Sequence, residues 1–287
     1  MTSKPCWEPL PLGEHVLAES PRWDAANGLL SWVDCVAGTV SAASQADSGW
    51  TLEARHVVGS LVTAAVPKTD GGWWVAVGPG VATLSRAGEV GEPRWRVSAD
   101  FPAVRTNDMV LDPVGRLLVG LFAEDRTSEV GGVVSVEPST GRMRNLVTDM
   151  VTANGLGISP DRRSLYAVDT ARGTLTRHPY HVDDGVAGEG EVVVSQSGGG
   201  RLDGLAVDPD GDLWVAVWDA GQVHRYSPDG HLLQVLYTPV ARPSAVAVAG
   251  AAHDLLVVTT ARSDLVLPDG HIAPSPDGRL YAYSIER

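Results

Sequence analysis

One unit of about 40–50 residues repeats six times along the chain. In its four clearest copies a short polar motif leads into a turn and then into an apolar strand. These motifs are ESPRWD (19–24), NDMVLD (107–112), NGLGIS (154–159) and DGLAVD (203–208). Two weaker copies begin near Val62 and Ser244, and the six starting positions are 43, 45, 47, 49 and 41 residues apart. Such a period, with several short strands in each unit, is typical of the blades of a β-propeller.

We therefore predict an all-β fold, a six-bladed β-propeller with four-stranded antiparallel blades, which occupies residues 1–287 as a single domain. The unit that begins at Asp203 shows a full blade, with strands in LAVDP, DLWVAVWDA, QVHRYSPDG and HLLQVLYTP. The last unit has only three, in SAVAVAG, DLLVVTTA and RLYAYSIE. We expect the N-terminal segment before Glu19, around CWEPL or EHVLA, to supply the fourth strand and close the ring, which removes the open sheet edges.

Composition and charge argue against several other classes of protein. The chain is 44% hydrophobic and contains 32 Gly and 19 Pro, as expected of a turn-rich globular protein. A net charge of −13 argues against nucleic acid as a partner, because phosphates require a basic surface. No apolar run reaches the roughly 18 residues of a membrane helix, and the N-terminus lacks a signal-peptide core. We expect a cytoplasmic monomer or weak homo-oligomer that acts on a small molecule.

Cysteine and histidine indicate no further site. The two cysteines, Cys6 and Cys35, are too few for a disulfide framework and are expected to be buried or incidental thiols. The eight histidines are scattered without the spacing of zinc ligands.

The first residue of each clear motif carries a side-chain oxygen: these residues are Glu19, Asn107, Asn154 and Asp203. Residues at one phase of a repeat occupy equivalent places, so in a ring of blades these side chains converge on the axis. Two carboxylates and an amide oxygen suit a hard divalent cation. We predict that Glu19, Asn154 and Asp203 bind one such ion, Ca²⁺ in the first place, with Mg²⁺, Mn²⁺ or Zn²⁺ as alternatives. The other interpretation is that they only satisfy backbone groups where the blades begin.

The neighbours of Asn107 have different expected orientations. Side chains alternate along a strand, so Arg105 should face the same cavity as Asn107, where its guanidinium can donate to substrate oxygens. The alternative is a solvated arginine on the rim. Asp108 should point the other way and pair within its own blade. Two irregular segments, 123–132 and 262–278, each follow a second strand and should form loops on one rim, as lids or specificity elements.

Five segments resemble the regucalcin and gluconolactonase family of six-bladed propeller lactonases. They are AESPRWDAANGLLSWVD, VRTNDMVLDPVGRLLVG, ANGLGISPDRRSLYAVDT, RLDGLAVDPDGDLWVAVWDAGQVHRYSPDG and ARPSAVAVAGAAHDLLVVTTAR. Together they cover nearly the whole chain. The resemblance implies metal binding by Glu19, Asn154 and Asp203, and substrate contacts by Arg105 and Asn107.

The resemblance also implies a metal-dependent hydrolase that opens a cyclic ester, a sugar lactone or a related small molecule. The cation would polarise the carbonyl, and Asp203 is the candidate general base for the attacking water. The chain departs from the family at three places: Met109 stands where the family has glycine, Gly132-Val133-Val134-Ser135 where it has Gly-Ala-Leu-Tyr, and Val248-Ala249-Gly250 where it has Phe-Gly-Gly. We therefore expect a metal site like the family's, with a different pocket wall and lid. Two alternatives stay open: a metal-dependent propeller enzyme catalysing a cyclisation or rearrangement, and a non-catalytic propeller that binds a metal or ligand.

Overall fold

The computed structural model describes residues 6–46, 48–59, 61–96, 104–262 and 278–285. These residues form strands and turns, with no helix among them, and so none that is long and apolar enough to cross a membrane. The strands make six small antiparallel sheets. The prediction of an all-β, six-bladed propeller is confirmed.

The strands are numbered in chain order, and β1 (Glu8–Pro9) precedes the first blade. Blade 1 contains β2 (Ala18–Asp24), β3 (Leu29–Asp34), β4 (Thr39–Ala46) and β5 (Gly49–Val57). Blade 2 contains β6 (Val62–Pro67), β7 (Trp73–Val77), β8 (Gly80–Leu84) and β9 (Trp95–Arg96). Blade 3 contains β10 (Val104–Leu111), β11 (Leu117–Ala123), β12 (Gly131–Val136) and β13 (Met143–Met150).

Blade 4 contains β14 (Ala153–Ile158), β15 (Ser164–Asp169), β16 (Thr174–His181), β17 (Val186–Ala187) and β18 (Glu191–Ser195). Both β17 and β18 pair with β16 in this blade. Blade 5 contains β19 (Arg201–Val207), β20 (Leu213–Trp218), β21 (Gln222–Tyr226) and β22 (Leu232–Tyr237). Blade 6 contains β23 (Pro243–Ala249), β24 (Leu255–Thr260) and β25 (Tyr281–Ser284).

Each pair of neighbouring blades encloses its own hydrophobic core, and these cores follow one another around the ring. The core between blades 6 and 1 contains the fully buried Trp32 together with Leu280. The core between blades 5 and 6 contains Trp214, which is 1% exposed. Wide indole rings fill the wedge between two twisted sheets, and each removes a large apolar area from water.

The N-terminal segment completes blade 6. Strand β1 pairs with β25 in antiparallel register, with Glu8 opposite Ala282. Beyond this pair the Leu10 N–H donates to the Leu280 carbonyl at 2.8 Å. The predicted closure is therefore confirmed, and the closing strand lies in CWEPL.

A β-bulge interrupts every inner strand at the same phase of the repeat. The register shifts lie between Glu19 and Arg22, Val62 and Ala64, Thr106 and Met109, Ala153 and Leu156, Leu202 and Leu205, and Pro243 and Ala245. At a bulge two residues oppose one on the partner strand, so side-chain alternation breaks and a side chain is redirected. The repeated polar motifs therefore mark the place where each blade turns side chains towards the axis.

Candidate functional site

The predicted site residues come together at one end of the propeller axis. Glu19, Arg105, Asn107 and Asn154 line a single cavity of about 70 Å³. Asp203 joins them through a hydrogen bond, in which Asn154 Nδ2 donates to the Asp203 carboxylate. The structure thus assembles all five residues from blades 1, 3, 4 and 5. Their roles in binding and catalysis stay predictions.

Glycine follows both Asn154 and Asp203 because the next blade leaves no room for a side chain. A Cβ on Gly155 would lie 2.3 Å from the backbone nitrogen of Leu205, and one on Gly204 would lie 2.3 Å from a side-chain carbon of blade 6. Asn-Gly and Asp-Gly are also common in hairpin turns. Here each pair marks a bulge at which two inner strands touch, and the contact fixes the spacing of the oxygen-bearing side chains.

The side chains of Glu19 and Asp203 are two neighbouring carboxylates that have little contact with solvent. Asp203 is 6% exposed. Burial raises the pKa of Asp203 to about 8, against the opposing field of Arg201. Burial also raises the pKa of Glu19 well above its usual range, and the negative charges of Asp203 and Asp108 raise it further. The site therefore favours either a bound proton or a cation.

The donor chemistry fits a hard divalent cation. Among the described residues, no three His, Cys, Asp or Glu side chains group together in a way that could hold a metal ion. A cation at this place would therefore need the amide oxygen of Asn154 beside the carboxylates of Glu19 and Asp203. Carboxylate and amide oxygens are the ligands that Ca²⁺ and Mg²⁺ prefer.

Asp108 does not pair within its own blade, so that prediction is wrong. Its Oδ1 accepts hydrogen bonds from Arg22 Nη2 at 2.6 Å and from the Met109 N–H at 2.8 Å, and its Oδ2 accepts one from the Leu156 N–H at 3.1 Å. Apart from the adjacent Met109, these partners belong to blades 1 and 4. The prediction assumed strict alternation, which the bulge between Thr106 and Met109 removes.

Met109 does not lie in the pocket wall, where we had expected it. Its side chain is fully buried in the core between blades 2 and 3, beside Leu117 and Val134. Only its backbone approaches the site, through the Met109 carbonyl, which accepts a hydrogen bond from Arg22 Nη2 at 3.0 Å. The difference from the family at this position therefore changes the packing behind the site.

The ion pair between Arg22 and Asp108 joins blades 1 and 3 and lies between two cavities. Asp108 lies in the wall of the 70 Å³ cavity, whereas Arg22 lies in the wall of a second cavity of about 540 Å³ at the opposite end of the inner strands. Their side chains are 17% and 8% exposed. A second guanidinium nitrogen, Arg22 Nη1, donates to the Pro21 carbonyl at 3.0 Å. This pair therefore forms the floor of the candidate site.

Arg105 and Asn107 lie on the cavity wall, as predicted. The guanidinium of Arg105 lies over the Phe122 ring, 4.1 Å from its centroid, and donates to the Thr106 carbonyl at 3.1 Å. Burial lowers the pKa of Arg105. A guanidinium that lies flat on a ring can direct its remaining N–H groups at a ligand. The amide of Asn107 is held by its Nδ2, which donates to the Ala153 carbonyl at 3.0 Å.

The sequence did not point to two further cavity residues, Cys35 and Thr63. Cys35 is a buried free thiol; burial and then the charge of Glu19 raise its pKa, so it is neutral at physiological pH. Thr63 directly follows Val62, the phased residue of blade 2. Thr63 thus stands in the repeat as Asp108 does, one residue after a phased position, and this place could have marked it, whereas nothing in the sequence marked Cys35.

Comparisons with known proteins agree with this geometry. The chain matches the family model described as "SMP-30/Gluconolactonase/LRE-like region" over residues 17–262. It is 32% identical over 252 residues to 6-deoxy-6-sulfogluconolactonase of Pseudomonas putida, which covers 87% of this chain and 84% of that protein. It is 30% identical over 252 residues to pentonolactonase XacC of Haloferax volcanii, and this match covers 86% of this chain and 82% of that protein.

Among solved structures, the regucalcin of Agrobacterium tumefaciens, described as a calcium-binding protein, superposes with a TM-score of 0.84 at 27% identity. The match covers 97% of this chain and 93% of that one. The family resemblance drawn from the sequence motifs is thus confirmed. The chain belongs to the SMP-30/gluconolactonase/LRE-like family.

Proposed function

We propose that this protein is a metal-dependent lactonase, which hydrolyses the cyclic ester of a sugar lactone or a related small molecule. One observation carries the proposal: the partly buried Glu19, the buried Asp203 and the amide of Asn154 come together beside Arg105, next to the Arg22–Asp108 ion pair. Two relatives that match most of the chain are named as lactonases, which supports the reaction class.

The proposed cofactor is one divalent cation held by Glu19, Asn154 and Asp203. Ca²⁺ is the first candidate, since the similar solved regucalcin is described as calcium-binding, and Mg²⁺, Mn²⁺ and Zn²⁺ are the alternatives. When bound, such an ion supplies Lewis-acid polarisation of an ester carbonyl. Its charge would also offset the repulsion between the two carboxylates, which raises the pKa of Glu19.

The proposed general base is Asp203. In this scheme its carboxylate accepts a proton from the water that attacks the lactone carbonyl carbon. The bond between that carbon and the ring oxygen then breaks, and the ring oxygen takes the proton from Asp203, so the net reaction adds one water. Arg105 and Asn107 would hold the substrate oxygens at the cavity wall and keep the ester in place for attack.

Assays with a panel of aldonolactones and aliphatic lactones test this function. We expect the purified protein to accelerate the opening of at least one lactone, measured by pH-stat above the spontaneous rate. Treatment with a chelator should abolish the activity, and titration with Ca²⁺, Mg²⁺, Mn²⁺ or Zn²⁺ should restore it. Metal binding without turnover on any lactone would instead indicate a binding propeller, and turnover that survives chelation would refute the metal dependence.

Replacing Arg105 should separate substrate binding from metal binding. A charged hydrogen bond contributes about 1.5–3 kcal/mol, so Arg105→Ala should lower kcat/KM by roughly one to two powers of ten. Metal affinity measured by calorimetry should not change, because a guanidinium has only donors. Arg105→Lys should recover part of the loss, since an ammonium cannot reproduce the planar fork.

The matched control for Arg105→Ala is Arg142→Ala, which removes an exposed arginine from the same blade. Thermal melting of both variants should match the wild type. Wild-type kinetics in Arg105→Ala would place this side chain outside the substrate contacts.

A further inference from the structure

A third cavity, here called the rim cavity, adjoins the candidate site and is lined by arginine. It has a volume of about 400 Å³, and its wall includes Arg126, Arg172, Arg201, Thr152, Thr170 and Gln196. The whole chain has a net charge of −13, so three arginines around one cavity oppose the overall charge of the protein. Ligand pockets typically measure about 300–1,000 Å³, which this cavity reaches.

Two contacts connect this rim cavity to the candidate site. Thr170 Oγ1 in its wall accepts a hydrogen bond at 3.2 Å from Asn154 Nδ2, which belongs to the site. The Phe122 ring lies between the two cavities: Arg105 of the site lies 4.1 Å from its centroid, and Arg126 of the rim cavity lies 5.1 Å from it. The walls of the two cavities therefore adjoin, through Thr170 and through the Phe122 ring.

The backbone of Arg126 adopts a conformation that is unfavourable for arginine. Its φ is +57°, in the left-handed region that favours glycine, and its N–H closes a turn to the Ala123 carbonyl at 2.9 Å. Within the part of the chain that the structure describes, its guanidinium makes no ion pair. A long charged side chain at a position suited to glycine, directed at a cavity and stacked on Phe122, indicates a role in binding.

The other two arginines of the cavity wall take part in ion pairs, and that of Arg172 with Glu129 is the more exposed. Arg172 pairs with Glu129 at 2.5 Å, and the two side chains are 39% and 61% exposed. An exposed pair of this kind contributes little free energy, so a ligand anion can replace Glu129 at small cost. Asp219 is shared, with Arg201 at 2.6 Å and Arg242 at 3.0 Å.

We infer that the rim cavity binds an anionic substituent of the lactone, at the end remote from the ester carbonyl, and that Arg126 and Arg172 recognise it. The inference rests on the proposed lactonase function and specifies its substrate class. A carboxylate, a phosphate and a sulfonate share the chemistry in question, an oxyanion that accepts paired N–H bonds from a guanidinium fork. The loop that carries Arg126 is one of the two irregular segments flagged in the sequence, 123–132.

Matched pairs of lactones test this inference. Each pair contains an aldonolactone and the same lactone with a terminal carboxylate, phosphate or sulfonate, and the result is the ratio of kcat/KM between the charged and the neutral member. The wild type should favour at least one charged member by about tenfold or more, as a charged hydrogen bond allows. The preferred member identifies the anion, and rising salt should reduce the ratio.

In Arg126→Gln and Arg172→Gln the ratio should fall by about tenfold, whereas the exposed control Arg142→Gln should keep it. Arg126→Gly should lose the ratio while its melting temperature stays equal or rises, because glycine suits the positive φ. A ratio near one in the wild type, or one that persists in both Gln variants, overturns the inference and leaves the lactonase proposal intact.

Failure of the proposed function would look different, because no lactone would then be turned over. In that event calorimetry decides, with an open-chain aldonate and its terminal phosphate, carboxylate and sulfonate derivatives as probes. If the wild type binds one of these derivatives more tightly than the plain aldonate, and Arg126→Gln does not, the rim cavity is an anion site. Equal affinities for all four compounds overturn the inference.

Discussion

Asp203→Asn should abolish lactone hydrolysis while the propeller stays folded. The change keeps the shape of the side chain and removes a negative ligand together with the proposed base. General-base catalysis alone contributes about 10²–10⁴-fold, so kcat/KM should fall at least a hundredfold. Calorimetry should show weaker cation binding, because affinity for hard cations follows the charge of their ligands.

The matched control is Asp210→Asn, which makes the same charge change at an exposed turn of the same blade. It should keep wild-type activity and metal affinity. Glu19→Gln should weaken the metal as Asp203→Asn does, since both acids belong to the proposed ligand set. Wild-type metal affinity in both of these variants would show that the ligand assignment is wrong.

The metal-free protein provides an independent readout for Asp203. The pKa of this group is 3.8 in its usual environment and is raised to about 8 in the fold. Between these values the unfolded chain releases its proton while the folded protein retains it, so stability falls as pH rises from about 4 to 8. Melting of the chelated wild type should therefore drop between pH 5 and pH 8. In Asp203→Asn the drop should be smaller but not absent, because the pKa of the neighbouring Glu19 is raised by burial as well.

Arg22→Met should cause the largest loss of stability. The variant leaves the Asp108 carboxylate, whose side chain is 8% exposed, without its ionic partner. Breaking a buried ion pair by removing one member costs about 3–5 kcal/mol, because the remaining charge stays desolvated. Denaturant unfolding should show this difference, and Arg22→Met combined with Asp108→Asn should regain part of it.

Arg177→Met is the appropriate comparison for Arg22→Met, since it breaks only exposed ion pairs: Arg177 is 29% exposed, and its partners Glu191 and Asp229 are 62% and 68% exposed. Exposed pairs contribute about 0–1 kcal/mol, so its cost should be far smaller. Similar unfolding curves for Arg22→Met and Arg177→Met would mean that the floor of the site is not an energetically significant ion pair.

Much of the fold was predictable because a repeat is a local property of the sequence. Aligning the motifs with one another showed that Glu19, Asn154 and Asp203 occupy the same position in their repeats. In a ring of blades, equivalent positions on the inner strands lie near one another around the axis. The missing strand of the last unit predicted the closure in the same way, since a three-stranded blade leaves an edge that must be covered.

The errors at Asp108 and Met109 have different causes. The orientation of Asp108 was deduced from strict alternation, and a bulge inserts an extra residue that only the register with the partner strand reveals. The expectation for Met109 came from a difference from the family at one position, which does not show whether a side chain faces the pocket or the core behind it. The contact between Arg22 and Asp108 was not predictable for a different reason. A repeat shows which positions are equivalent, but it does not show which side chains of different blades contact each other.

The predictions for the two irregular segments can be compared with the structure to different extents. The segment 123–132 lies beside the site, as its place after a second strand predicted, and Arg126 lines the adjoining cavity. Most of the other segment, 262–278, lies outside the described residues.

The closure of blade 6 has a consequence for the order in which the site forms. The β1–β25 contact pairs Glu8 with Ala282, so it can form only after all the other strands of the six blades have been synthesised. The long chain between β1 and β25 makes this contact only slightly more costly in free energy than a shorter chain would, because the entropy of loop closure grows with the logarithm of loop length. Glu19 belongs to blade 1 and Asp203 to blade 5, and blade 6 lies between them on the short side of the ring. The two repelling carboxylates therefore meet only when the last blade is in place, and nascent blades can fold without opposing that repulsion.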